Sequence, residues 1–156
     1  MTIIAAMTND GVIGSGNTMP WSIPEESGHF RKTTMGGTVV MGRKTFESMG
    51  SRPLFGRNNI VVSRTLAETE GIDICDSLDA ALEKAASYGK EIFIAGGAEI
   101  YRNALPFADR LCLSYIKEAY EGDTHFPEFD PNEWDVVEET DHSEFVLKIF
   151  RRKQGN

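Results

Sequence analysis

The chain has 156 residues, 40% of them hydrophobic and 26% charged, the size and mix of one ordinary globular domain spanning residues 1–156. A chain of this length buries enough surface to hold a core without disulfides or a metal staple. No apolar run approaches the ~20 residues of a membrane span, and MTIIAAMTND has no basic stretch ahead of its short apolar one, so a cytoplasmic protein with no membrane partner is expected.

The net charge of -8 argues against nucleic acid as a partner. The charge is segregated, however: residues 31–64 carry seven Lys or Arg against the single acid Glu47, whereas residues 65–147 carry 20 acids against five bases. A basic segment in an acidic protein reads either as a solvated face or as a local site for small polyanions. Cys75 and Cys112 lie in apolar runs and read as buried free thiols. His29, His125 and His142 lack metal-ligand spacing, so no metal is expected.

In chain order, strand-like apolar runs fall at 2–8 (TIIAAMT), 38–42 (TVVMG), 59–63 (NIVVS), 72–75 (IDIC), 91–95 (EIFIA) and 110–116 (RLCLSYI). Continuous rather than alternating apolar content predicts strands buried on both faces, as in a mostly parallel central sheet flanked by helices. Between them, helices are predicted at 24–35, 44–49, 77–87 and 98–105. In the third, Ser77 caps the first turn, and Leu78, Ala81, Leu82 and Ala85 form one apolar stripe. The tail, EWDVVEET and then SEFVLKIFRR, alternates apolar with polar residues around Thr140–Ser143 and predicts an antiparallel pair closing the sheet edge. The fold class is α/β.

Three strand-to-helix turns carry groups suited to anions. Ile94–Tyr101 runs from a strand through Gly96-Gly97 into a helix, and missing Cβ atoms let backbone approach a phosphate closely. Met41-Gly42-Arg43-Lys44-Thr45 adds two cations and a hydroxyl, and Val62-Ser63-Arg64-Thr65 a hydroxyl and an arginine. Ligands of open α/β sheets bind beyond the carboxyl ends of strands, so these turns point to phosphate binding. The connection from Asn9 to Ile23 has no evident structure of its own, and its Trp21, with Pro20 and the Pro24 that follows, suggests an ordered lid. Glu26 then falls in the first turn of a helix, where it serves the helix dipole unless it faces an apolar cleft. There, a desolvated carboxylate binds a cationic heterocycle and helps deliver a proton. By sequence Glu25 is an equal candidate.

The strings IIAAMTNDGVIG, MPWSIPEE, VVMGRKTFESM, PLFGRNNIVVSR, IAGGAEIY and EGDTHFPEF, in this order and spacing, resemble the dihydrofolate reductase family over nearly the whole chain. The resemblance implies reduction of 7,8-dihydrofolate to tetrahydrofolate with NADPH as cofactor, by a protein that is usually a monomer. It implies that Glu26 grips the pterin and favours protonation at N5, with Trp21 and Ser114 holding a water and the pterin network and Tyr101 near the reacting carbons. Ile4, Ala5, Met19, Ser27, Phe30, Met49, Leu54 and Ala95 would line the folate, and Arg57 would pair with its glutamate tail.

For the cofactor, the resemblance implies Arg43, Lys44 and Thr45 beside the phosphates and Ser63 and Arg64 at the adenosine 2'-phosphate. Ala6, Ile13, Gly14, Gly42, Glu99, Ile100 and Thr124 would add further contacts, and Gly96-Gly97 a cis peptide. The chain departs from the family at Ser27-Gly28-His29, where larger apolar or helix-favouring residues are usual, and at Phe55, often proline. The related reductase of riboflavin synthesis lacks the MPW-x-x-P-x-E string that this chain has. A binding protein that had lost catalysis would have no need of both Glu26 and the glycine pair.

Overall fold

A computed structural model describes residues 1–14 and 21–153. Met19, expected at the folate, lies outside them. The strands are β1 (Thr2–Thr8), β2 (Val12–Gly14), β3 (Thr38–Gly42), β4 (Asn58–Val62), β5 (Asp73–Cys75), β6 (Ile92–Ile94), β7 (Arg110–Ile116), β8 (Thr124–His125), β9 (Trp134–Asp141) and β10 (Phe145–Arg152). The helices are α1 (Pro24–Thr34), α2 (Arg43–Ser48), α3 (Leu78–Ser87) and α4 (Ala98–Ala104), with single 3-10 turns at Leu105–Phe107 and Pro131–Glu133.

Eight strands form one sheet in the order β5-β4-β3-β6-β1-β7-β10-β9. Pairing is parallel from β5 to β7; β10 runs antiparallel to β7, and β9 antiparallel to β10. This is the expected architecture. The alternation of side chains along a strand splits the core in two. Ile3, Ala5, Met7, Val40, Ile60 and Ile94 pack on one face with Ala81 and Ala85 of α3 and Ala104 of α4. Ile4, Val39, Met41, Val61 and Phe93 pack on the other with Phe46 of α2. Central strands buried on both faces are the physical source of the continuous apolar runs.

Most elements start or stop within a residue or so of expectation. Ser63 lies just beyond β4, and α4 ends at Ala104 because Pro106 closes a 3-10 turn instead. Ser77 caps α3, its Oγ accepting the Ala80 N–H at 3.1 Å. One expectation is overturned: the connection after β1 has structure of its own. Val12–Gly14 forms a two-stranded antiparallel ribbon with Thr124–His125, two strands too short for a periodic signal. Cys112 is buried as expected, but Cys75, on the short β5, is only partly so, and both are free thiols. Among the described residues no helix is long and apolar enough to cross a membrane.

Helix α1 begins with Pro24 at its first turn and Glu25 and Glu26 near its positive end, and finishes with Arg31 and Lys32, charges that suit the dipole at both ends. Gly28 interrupts it, although a Cβ there would meet nothing within 4 Å. Gly28→Ala is therefore expected to stabilise the protein by about 0.5–1 kcal/mol, measured by denaturant unfolding; destabilisation would mean the glycine serves packing or motion.

Candidate active site

A cavity of about 850 Å³ opens at the carboxyl ends of the parallel strands. Ala6 of β1, Gly42 at the end of β3, Val62, Ser63 and Arg64 at the end of β4, and Ala95, Gly96 and Gly97 after β6 line it. The first turns of α2 and α4 add Arg43, Lys44 and Thr45 on one side and Glu99 and Ile100 on the other, while Ile13, Gly14 and Thr124 reach it from the β2–β8 ribbon. Every residue expected to contact a cofactor lines this one cavity.

The strand ends are knitted together by backbone. The Gly42 N–H donates to the Gly96 carbonyl at 2.8 Å, and the Ala95 N–H donates to the Val40 carbonyl at 2.9 Å. The turns pack closely: a Cβ on Gly42 would lie in ordinary contact, 3.5 Å from Ile100, and one on Gly97 3.6 Å from the Thr45 hydroxyl. The Gly96–Gly97 peptide is cis. Gly96 has φ +115, and a Cβ there would sit 3.1–3.2 Å from the Tyr101 hydroxyl and ring. Gly96→Ala is thus expected to cost about 2 kcal/mol of stability through positive-φ strain and to displace Tyr101; unchanged denaturant unfolding would show that the turn adapts.

Helices α2 and α4 have six and seven residues, so their dipoles are weak and the attraction for anions rests on side-chain charge. Arg43 lies 3.7 Å from Glu47 one turn on. The Ser63 Oγ accepts the N–H groups of Thr65 and Leu66 at 3.1 and 3.0 Å. That turn fixes the chain around Arg64 and leaves the Ser63 hydroxyl hydrogen to donate outward.

Of the residues expected at the folate, Met49 and Ala95 line the cavity; most of the others lie outside its lining, on the face of the sheet that carries α1. Ile4, Trp21 and Ala95 belong to its buried cluster, and Ala6, Phe30, Met49 and Leu54 pack against it. Ser114 is buried on the same face, beside Ala6 in the parallel β1–β7 register. The side chain of Ala5 points the other way, into the opposite cluster, leaving only its backbone toward this face. Ser27 is exposed on α1.

The structure separates the two glutamates. Glu25 is half-exposed and pairs with His142 Nδ1 at 2.7 Å, tying α1 to the β9–β10 turn, while His29 Nε2 approaches the Cys112 Sγ at 3.5 Å. Glu26 is 8% exposed. Burial pushes its carboxyl up to about 7, and among the described residues no cation pairs with it. Burial, with the Glu26 charge adding to it, also raises the Tyr101 hydroxyl, which donates to the Ile4 carbonyl at 2.8 Å and lines the cavity beside Gly96.

Two polar groups on this side have unused capacity. The Trp21 Nε1–H is fully buried and has no hydrogen-bond partner among the described residues; its ring is tilted against Tyr120 at 5.7 Å. Arg57 donates through Nη1 to the Thr34 hydroxyl at 3.1 Å and through Nε to the Phe55 carbonyl at 3.0 Å. Partial burial and the neighbouring Arg31 lower its pKa. Its remaining N–H donors suit a carboxylate. Phe55 stands beside it, 81% exposed. Sequence reading missed Asp76, Ser48 and Asn103, which also line the cavity; no single-residue signal marks them, because the register of β4 and β5 brings Asp76 to it and the placement of α2 and α4 brings Ser48 and Asn103.

A cationic, glycine-rich cavity at the strand ends, on a sheet whose α1 side holds a buried carboxyl, Glu26, is the arrangement of a small-molecule enzyme of the open α/β class. The dihydrofolate reductase family model matches residues 1–148. The chain is 46% identical over 143 residues to dihydrofolate reductase type 3 of Salmonella typhimurium, covering 91% of this chain and 87% of that one. It is 44% identical over 138 residues to dihydrofolate reductase of Bacillus subtilis (strain 168), covering 88% and 81%. Dihydrofolate reductase from Enterococcus faecalis, solved with NADP(H) and RAB-propyl, superposes with a TM-score of 0.89 at 32% identity, covering 98% of this chain and 96% of that one. The chain belongs to the dihydrofolate reductase family.

Proposed function

We propose that the protein reduces 7,8-dihydrofolate to 5,6,7,8-tetrahydrofolate with NADPH, the dinucleotide lying in the glycine-lined arm and the pterin against α1. The observation that carries this reading is the cavity that gathers Arg43, Lys44 and Arg64 around the Gly96-Gly97 turn; on the α1 side of the same sheet stands Glu26, a buried carboxyl pushed up to about 7. The residues of the dinucleotide arm fit that cofactor, since three cations, Arg43, Lys44 and Arg64, and the Thr45 and Ser63 hydroxyls line one cavity.

When bound, NADPH supplies the hydride that reaches pterin C6. Ser63 and Arg64 hold the adenosine 2'-phosphate, and Arg43, Lys44 and Thr45 hold the bridging phosphates. Ala6, Ile13, Gly14, Gly42, Gly96, Gly97, Glu99, Ile100 and Thr124 shape the channel between. Glu26 accepts from the pterin 2-amino group and N3, and favours the form protonated at N5. The unpartnered Trp21 Nε1–H is suited to orient a water beside that carboxyl. Ser114 extends the polar network, and Tyr101, bonded to the Ile4 carbonyl, closes the site near the reacting carbons. Ile4, Phe30, Met49, Leu54 and Ala95 exclude water from the pterin and benzoyl rings, with Ala5 contributing backbone and Ser27 a hydroxyl at the rim. One domain, working as a cytoplasmic monomer, suffices for this reading, because the cavity and the α1 side of the sheet come from one chain.

The test is the rate of NADPH oxidation, followed by absorbance, with and without dihydrofolate. Oxidation that requires dihydrofolate is expected; binding of NADPH without turnover would transfer the reading to another substrate. Arg57→Ala is expected to raise KM for dihydrofolate about tenfold or more, in keeping with loss of a charge-assisted pair of roughly 1.5–3 kcal/mol. It should do far less to a pterin lacking the glutamate tail, and equal effects on both would remove Arg57 from that contact.

A further inference from the structure

The adenosine end of the cleft carries a carboxylate to which the reading above gives no role. β4 and β5 run parallel with Val62 beside Cys75, and the Ser63 N–H donates to the Cys75 carbonyl at 2.9 Å. Asp76 therefore stands next to Ser63 and Arg64. It lines the main cavity with them, and also the open hollow beside it formed with Leu66 and Ile74. Its backbone is fixed from both sides, by that strand bond before it and by the Ser77 cap of α3 after it. Both side chains are exposed, and among the described residues Asp76 and Arg64 are not ion-paired with each other. Each is free to act on a ligand separately.

Their actions are opposed. An arginine favours a ribose 2'-phosphate, which carries close to two negative charges at neutral pH. A carboxylate at the same position repels that phosphate and accepts hydrogen bonds from the 2'- and 3'-hydroxyls of an unphosphorylated ribose. We infer that Asp76 is a specificity-determining residue for the dinucleotide, offsetting Arg64 so that NADH binds within reach of NADPH. This inference rests on the cofactor placement proposed above.

The experiment is calorimetric titration of the purified enzyme, without substrate, with NADPH and with NADH, for the unmodified chain, Asp76→Asn and Arg64→Ala. Asp76→Asn is expected to tighten NADPH about sevenfold, the size of a two-charge repulsion across roughly 7 Å of water-like medium. It should loosen NADH about threefold, the scale of a weak lost hydrogen bond. A ratio of the two Kd values that stays within about twofold, or that moves toward NADH, overturns the inference. Arg64→Ala assigns the failure: if it weakens NADPH selectively while Asp76→Asn is silent, the cofactor placement stands and the role of Asp76 falls. If both variants are silent, the adenosine lies elsewhere and both readings fall.

Discussion

Glu26→Gln is expected to cut turnover of dihydrofolate at pH 7 by about a hundredfold or more, the usual scale for losing a positioned proton-transfer group. Glutamine keeps the shape and one carbonyl acceptor but neither carries the charge that favours a protonated pterin nor gives up a proton. Burial pushes the Glu26 carboxyl up to about 7, so at neutral pH it is close to half-protonated, the condition in which one group both holds a proton and can release it. As the pH falls toward 5, solvent protonates more of the substrate directly, and the deficit of the variant is expected to shrink. Initial rates of NADPH oxidation from pH 5 to 8.5 measure this. A variant as active as the unmodified enzyme at pH 7 would end the assignment; a deficit constant across the range would show that Glu26 only binds.

The fold class was legible because the central strands are buried on both faces. TIIAAMT and TVVMG cannot alternate when Ile3 packs against α3 and α4 while Ile4 packs on the side of α1 and α2. Of the tail, β10 buries Phe145 and Leu147 in alternation as expected, but the edge strand β9 is exposed along its whole length after Trp134, Val136 and Val137 included. Strand order was not legible, since returning β6 between β3 and β1 depends on contacts that sequence spacing does not encode. The β2–β8 ribbon was missed for the related reason that three and two residues cannot show a period.

At the site, the glycine pair and basic turns were visible as local strings, but the choice of Glu26 over Glu25 was not. The two are adjacent acids in one helical turn, and only packing buries one while handing the other to His142. Asp76 escaped notice in the same way. It is one acid among many in an acidic stretch until the register of β4 and β5 brings it beside Arg64.

Glu26 also ties catalysis to stability, and the sign of that coupling is testable. Burial lifts its carboxyl from the ordinary 4.5 to about 7 in the fold, so the folded state binds the proton more tightly than the unfolded chain. The stability this confers is complete below pH 4.5 and is lost as the pH rises through 7, after which the penalty is constant. A shift of that size corresponds to at most about 3 kcal/mol for so buried a group. Glu26→Gln removes the titration. The buried amide of the variant has its own cost in unmet hydrogen bonds, roughly 1 kcal/mol, but that cost is the same at every pH. The difference in unfolding free energy between variant and unmodified enzyme, measured in denaturant without ligands at pH 4.5 and pH 8.5, therefore isolates the carboxyl. The variant is expected to gain about 2–3 kcal/mol on the unmodified protein between those two pH values, becoming the more stable of the two while being the far poorer catalyst. A difference that does not change with pH would mean that Glu26 sits in water in the ligand-free protein, and the desolvation that gives it a proton near neutrality would have to come from the bound pterin instead.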